Sequence, residues 1–140
     1  MRNSRFESRK GYPMCPPEKF SSFISDLRNF KQFIKGNNIN DLVLTSETCT
    51  FSVSLLGSVS LRVASVNAPE NVTYSGNAMQ INDFEIIVSI SPASGERSEV
   101  MIALEADLNP ILKMMASEPV KQLLTRLVDE MEMNTSWDTL

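Results

Sequence analysis

From Ile39 to Asp107 apolar side chains recur at every second position, the period of a strand that buries one face. In "CTFSVSLL" the residues Cys49, Phe51, Val53 and Leu55 share a side, and "SVSLRVASV" sets Val59, Leu61 and Val63 against an outward Arg62. "VTYSG" aligns Val72 with Tyr74, and "DFEIIVSIS" aligns Phe84, Ile86, Val88 and Ile90. "SEVMIALEAD" closes the series with Val100, Ile102, Leu104 and Ala106. With "LVLTS" (42–46) ahead of them, these runs predict a meander of about six antiparallel strands. The segments "APEN" (68–71) and "PASGE" (92–96) read as its turns, and Gly57 suits the first central position of a tight hairpin.

The period changes on both sides of the meander. The opening "RNSRFESRK" suits an edge strand, with Phe6 its one strongly apolar residue. Phe20, Phe23, Ile24 and Leu27 then fall at i, i+3, i+4 and i+7, behind Pro16 and Pro17 in a first helical turn. Ser25 or Asp26 can cap a second short helix carrying Leu27, Phe30, Phe33 and Ile34, which Gly36 ends. After the sheet, Asn109 is a cap and Pro110 opens a long helix over 110–131. Its apolar stripe is read as Leu112, Met115, Ala116, Val120, Leu123, Leu127 and Met131.

A sheet apolar on one face must cover that face, and only the last helix is long enough to do so. The predicted architecture is therefore α+β. One curved antiparallel sheet of about seven strands wraps a long C-terminal helix, and two short helices after the first strand close an end. The domain is read as residues 1–133, with 134–140 a flexible tail. Pro119 interrupts the long helix, where it removes a backbone donor and bends the axis. The bend either leaves a pocket between helix and sheet or improves core packing. Both readings need it.

Composition narrows the function classes. With 140 residues, 42% hydrophobic and 21% charged, the chain fits one domain. It contains no run of about 18 apolar residues, so no transmembrane segment is expected. The basic N-terminus has no apolar stretch behind it, which predicts a cytoplasmic protein with Cys15 and Cys49 reduced. The net charge of −4 hides an asymmetry, since residues 1–36 carry eight basic and three acidic side chains. The basic residues are scattered, so the expectation is attraction between two segments of one fold and no nucleic acid partner.

Histidine is absent, which removes the commonest general base, the usual triads and most metal sites. The five glycines are isolated, so no nucleotide-binding loop exists, and neither a cofactor nor a metal is expected. Asp83, Glu85, Glu99 and Glu105 alternate against the apolar positions and belong on the outer face. Tyr74 shares the inner face, where its hydroxyl can orient a ligand or bond to backbone in the core. One feature conflicts with helix electrostatics: the last turn, "VDEMEM", is acidic where the macrodipole prefers cations. It either frays or attracts the basic N-terminal segment.

The order strand, two short helices, six-strand meander and long C-terminal helix resembles the START-like, or SRPBCC, superfamily. That superfamily includes the Bet v 1-like and polyketide cyclase-like proteins. The stretches that carry the likeness are "FSSFISDLRNFKQF", "GSVSLRV" and "LEADLNPILKMMASEPVKQLLTRLVDEM", and it extends over about residues 3–133. The small bacterial members, of the Bacteroidetes type, are especially similar. The resemblance implies a deep hydrophobic cavity between the long helix and the concave sheet. It implies non-catalytic binding of a small hydrophobic molecule (a lipid, isoprenoid or aromatic), in at least about 300 Å³ of enclosed space. A cyclase or dehydratase acting on a polyketide-like substrate, and a protein-interaction module with a vestigial cavity, stand as alternatives. The expected lining is Phe51, Tyr74, Phe84, Ile86, Leu104, Leu112, Met115 and Ala116, with Phe33 and Met79 at the mouth.

Overall fold

The computed structural model describes residues 3–33, 39–53, 57–78, 83–135 and 137. Seven strands form one antiparallel sheet: β1 (Ser4–Glu7), β2 (Ile39–Leu44), β3 (Thr48–Val53), β4 (Gly57–Asn67), β5 (Asn71–Ala78), β6 (Phe84–Ala93) and β7 (Arg97–Ala106). Their order across the sheet is β1-β7-β6-β5-β4-β3-β2, a meander from β2 to β7 with β1 added at the β7 edge. The alternation read from the chain sets the faces: Val72, Tyr74, Phe84, Ile86, Val88, Val100, Ile102 and Leu104 are all buried. Register shifts between Asn40 and Val43 and between Val63 and Ser65 add local twist to the curved sheet. Gly57 has φ +80° and pairs with Val53, while the hairpin tip and Leu55 lie outside the described residues. The β6–β7 turn is shorter than "PASGE", because both strands extend to the pair Ala93 and Arg97.

The helices are α1 (Pro17–Ser25), a 3-10 helix at Leu27–Gln32 and α2 (Pro110–Met133). The second short element is a 3-10 helix, tied back to α1 at its start and closed at its end by the Phe33 amide on the Phe30 carbonyl at 2.9 Å. The Asp26 carboxylate accepts from the Arg28 amide at 3.0 Å, and the Asn29 side-chain amide donates back to the Phe23 carbonyl at 2.9 Å. Ile34 and Gly36 lie outside the described residues. Asn109 caps α2 through the Leu112 amide at 2.8 Å, with Pro110 behind it in the first turn. No helix among the described residues is long and apolar enough to cross a membrane.

The buried stripe of α2 is Ala116, Val120, Leu124, Leu127, Val128 and Met131. It adds Leu124 and Val128 to the predicted stripe and leaves out Met115, which lies on the outer side and is 59% exposed, beside the exposed Ile111 and Met114. The helix runs unbroken through Pro119, which is half-buried on the same side as Met115. The carbonyl that Pro119 leaves without a donor is that of Met115, on the side that faces water.

Residues 8–15 continue from β1 along β7 and brace α2. Gly11 exchanges backbone hydrogen bonds with Val100 at 2.9 and 2.8 Å, and Ser98 donates its hydroxyl to the Cys15 carbonyl at 2.6 Å. A Cβ on Gly11 would stand 2.4 Å from Val128 Cγ1, so only glycine lets this segment pass so close to the helix. Arg9 bonds Asp129 and Glu132 at 2.6 Å each, and the Tyr12 amide donates to Glu132 at 2.9 Å. The acidic last turn is thus held by the basic N-terminal segment, one of the two outcomes its charge allowed.

One residue of the segment expected to be a flexible tail is packed into the core. Trp137 is 6% exposed and packs against Phe20, Phe23 and Phe33 at centroid separations of 5.4, 5.1 and 5.9 Å. An indole offers a large apolar area to bury. Its Nε1 has no hydrogen-bond partner among the described residues. Cys15 and Cys49 are free and buried, and desolvation pushes their thiols up to about 11 and about 12.

Two predictions follow from α2. Pro119→Ala restores a donor to the Met115 carbonyl and relieves the ring clash, so stability in urea should rise by about 1–3 kcal/mol. A fall would mean that packing against the sheet requires the bend. Hydrogen bonds from Arg9, foremost, and from the Tyr12 amide lower the Glu132 pKa below its usual 4.5. A depressed carboxylate stabilises the fold above its unfolded pKa, and that contribution disappears as pH falls from about 4.5 through the folded value. Glu132→Gln should therefore cost about 0.5–1 kcal/mol at pH 7 and flatten the acid side of a melting-temperature profile.

Candidate functional site

Between α2 and the inner face of the sheet lies a cavity. On the sheet side it is lined by Phe51 of β3, Val59 and Leu61 of β4, and Tyr74 and Ala78 of β5. β6 adds Phe84, Ile86 and Val88, and β7 adds Ile102 and Leu104. The helix side is Val120, Leu123, Leu127 and Met131, all after Pro119, and Phe30 of the 3-10 helix closes one end. The open wall carries no polar surface.

The space is small. About 40 Å³ is available to the centres of water-sized molecules, against about 700 Å³ of empty space when the part open to solvent is included. The enclosed part therefore falls well short of the 300 Å³ expected for a wide pocket. Ring bulk is the reason, since Phe30, Phe51, Tyr74 and Phe84 all line it.

Gly76 stands against two of the residues that line the cavity. Its position faces inward on β5, and an added Cβ would lie 2.6 Å from both Leu61 Cδ2 and Phe84 Cζ. Those two lining side chains lean back into the volume that a side chain would occupy. A glycine inside a strand signals such a close approach, and that signal was present in "VTYSG".

Tyr74 is fully buried, and its hydroxyl donates to the Ile24 carbonyl at 2.6 Å. Together with Asn29 on the Phe23 carbonyl, it satisfies the end of α1, which has no glycine cap. Burial raises the phenol pKa well above 10, so it stays protonated. Of the two readings open for Tyr74, the structure has the backbone partner, and the ring alone faces the cavity.

Of the expected lining, Phe51, Tyr74, Phe84, Ile86 and Leu104 come together around this space. Phe33 is buried instead among Phe23, Phe30 and Trp137. Leu112 and Ala116 pack on the core before Pro119 without reaching the cavity, and Met115 faces outward. Met79 lies outside the described residues. Of α2 the expectation named residues before Pro119, whereas the described cavity lining on this helix follows Pro119. Among the described residues no group of three or more Cys, Asp or Glu side chains is placed to hold a metal ion.

Neither a protein-family model nor a curated protein sequence matches the chain. Solved structures do match in shape. An uncharacterised protein from Bacillus thuringiensis superposes with a TM-score of 0.69 at 12% identity, over 93% of this chain and 97% of that one. A START superfamily protein from Mycobacterium smegmatis gives 0.65 at 15% identity, over 94% and 99%. Another Mycobacterium smegmatis protein, Ms6760, gives 0.71 at 7% identity, over 92% and 88%. The seven-stranded curved sheet, the short helices after β1 and the long C-terminal helix are the START-like helix-grip fold.

Proposed function

We propose that this protein binds a small hydrophobic molecule in the cavity between α2 and the sheet, without catalysing a reaction on it. The observation that carries the reading is an internal space bounded, among the described residues, by fifteen side chains that present no polar surface to it. Such a space gains by admitting hydrocarbon, at about 25 cal/mol per Å² of apolar area removed from water. A dry apolar void also forfeits dispersion contacts along its whole wall.

A cyclase or dehydratase needs an acid or base that reaches the substrate. Among the described lining residues only Tyr74 carries an ionisable proton, and it is bonded to Ile24 and raised in pKa. Binding is therefore favoured over catalysis. The fold's likeness to a START superfamily protein agrees with a small-molecule partner.

Native mass spectrometry of protein expressed without added ligand should show a carried-over apolar molecule. Ala78→Phe adds a ring to the cavity wall. If the space is a site, uptake of a hydrophobic dye should fall at least about tenfold with stability nearly unchanged, whereas a solid core would lose about 1–3 kcal/mol. Tyr74→Phe separates the two roles of that residue. It should cost about 1–3 kcal/mol, because the Ile24 carbonyl loses its partner, while dye affinity stays the same. Weaker dye binding at undiminished stability would put the hydroxyl in the site.

A further inference from the structure

We infer that the C-terminal tail is a latch that responds to the cavity: Trp137 is seated while the cavity is empty and leaves its seat when an apolar guest enters. This rests on the ligand-binding reading above. The placement of the aromatic rings and an unmet hydrogen bond lead to it from two sides.

The rings connect tail and cavity. Phe30 and Tyr74 both line the cavity, with ring centroids 5.3 Å apart. Phe30 also stands 6.0 Å from Phe33, and Phe33 stands 5.9 Å from Trp137. A single ring, that of Phe33, therefore separates a wall residue from the tail. Met131 lines the same cavity from the last turns of α2, shortly before the chain reaches Trp137.

The lining rings are not equally firm. Phe51, Tyr74 and Phe84 stand on β3, β5 and β6, each paired with a neighbour on both sides. Tyr74 is tied further by its hydroxyl to Ile24. Phe30 stands on the 3-10 helix, whose hydrogen bonds have poorer geometry than those of an α-helix or a ladder. The enclosed space is too small to take a guest of ordinary size unless a lining ring moves. Phe30 is the ring whose backbone resists least, and its displacement falls on Phe33 and on the seat of Trp137.

That seat is one the tail can leave. Trp137 is 6% exposed, yet its Nε1 has no partner among the described residues, whereas a buried indole N–H usually finds one. In water the same N–H is satisfied, so the missing bond weakens seating by roughly five- to a hundredfold. Of Asn134, Thr135 and Trp137, the residues described after α2, only Trp137 is buried. Its departure unseats one side chain and leaves the helix and sheet as they are.

The chain has one tryptophan, so incorporating a fluorinated tryptophan gives one fluorine resonance. Titrating the otherwise unaltered protein with the dye anilinonaphthalene sulfonate should move that resonance toward its position in the urea-unfolded chain, in step with dye fluorescence. Linkage requires the converse, that Trp137→Ala binds the dye about fivefold or more tightly than wild type. Ala78→Phe, which adds a ring to the cavity wall, should abolish that gain in the double variant. Three results would each overturn the latch while leaving a ligand site standing: a fluorine resonance that stays in place as the dye saturates, a Trp137→Ala affinity equal to or weaker than wild type, or a gain that survives Ala78→Phe. The last would put the dye in the vacated ring seat. Dye binding that Ala78→Phe leaves undiminished in the wild-type background, with no carried-over molecule in native mass spectrometry, would overturn the ligand site and the latch with it. The fluorine titration decides the matter even if a variant fails to fold.

Discussion

The close passage of residues 8–15 between β7 and the last turns of α2 is the constraint on which the rest depends. Gly11 lies against Val128 and Val100, and Arg9 holds Asp129 and Glu132 from the outside. The far end of α2 is joined directly to β7 through Asp107 to Asn109. A helix fixed at both ends over a curved sheet cannot follow the sheet everywhere. The cavity is the difference between the two shapes, bounded by the side chains that follow Pro119. The same braces explain an acidic helix end that the macrodipole alone would disfavour. A pair of carboxylates is tolerable there because a guanidinium and a backbone amide meet them.

Polar groups are kept out of the cavity by being used elsewhere. α1 ends without a glycine, so its last carbonyls need outside donors, and Asn29 and Tyr74 provide them. An inward tyrosine thereby serves as a strut between sheet and helix. The Phe20, Phe23, Phe33 and Trp137 rings seal the layer beyond it. Among the described residues, what faces the space is hydrocarbon, the Met131 thioether and the Tyr74 ring.

Much of the architecture was legible along the chain because each strand buries one face only. The alternation of Phe84, Ile86, Val88 and Ile90, or of Val100, Ile102, Leu104 and Ala106, has a period that no helix shares, so strands and faces could be assigned together. Asn109 and Pro110 marked the start of α2 by cap chemistry, and Asp26 did the same for the 3-10 helix. The inward sheet half of the cavity followed from the same alternation, which is why Phe51, Tyr74, Phe84, Ile86 and Leu104 were placed together before their contacts were known. The helix half did not follow. Leu112, Met115 and Ala116 are as apolar as Leu123, Leu127 and Met131, and nothing local tells which turns stand off the sheet.

The amino-acid order by itself determined strand polarity, element order, the position of the caps and the absence of histidine, since each depends on neighbours a few residues away. Four things were decided only by the tertiary structure: the rotation of α2 that exposes Met115, the capture of Trp137, the bond from Tyr74 to Ile24 and the close approach of Leu61 and Phe84 to Gly76. Each joins residues remote in sequence, and each turns on ångström-scale fit between surfaces. Periodicity reports which side of an element is apolar, but whether two apolar sides meet closely or leave a gap is fixed only when both are in place.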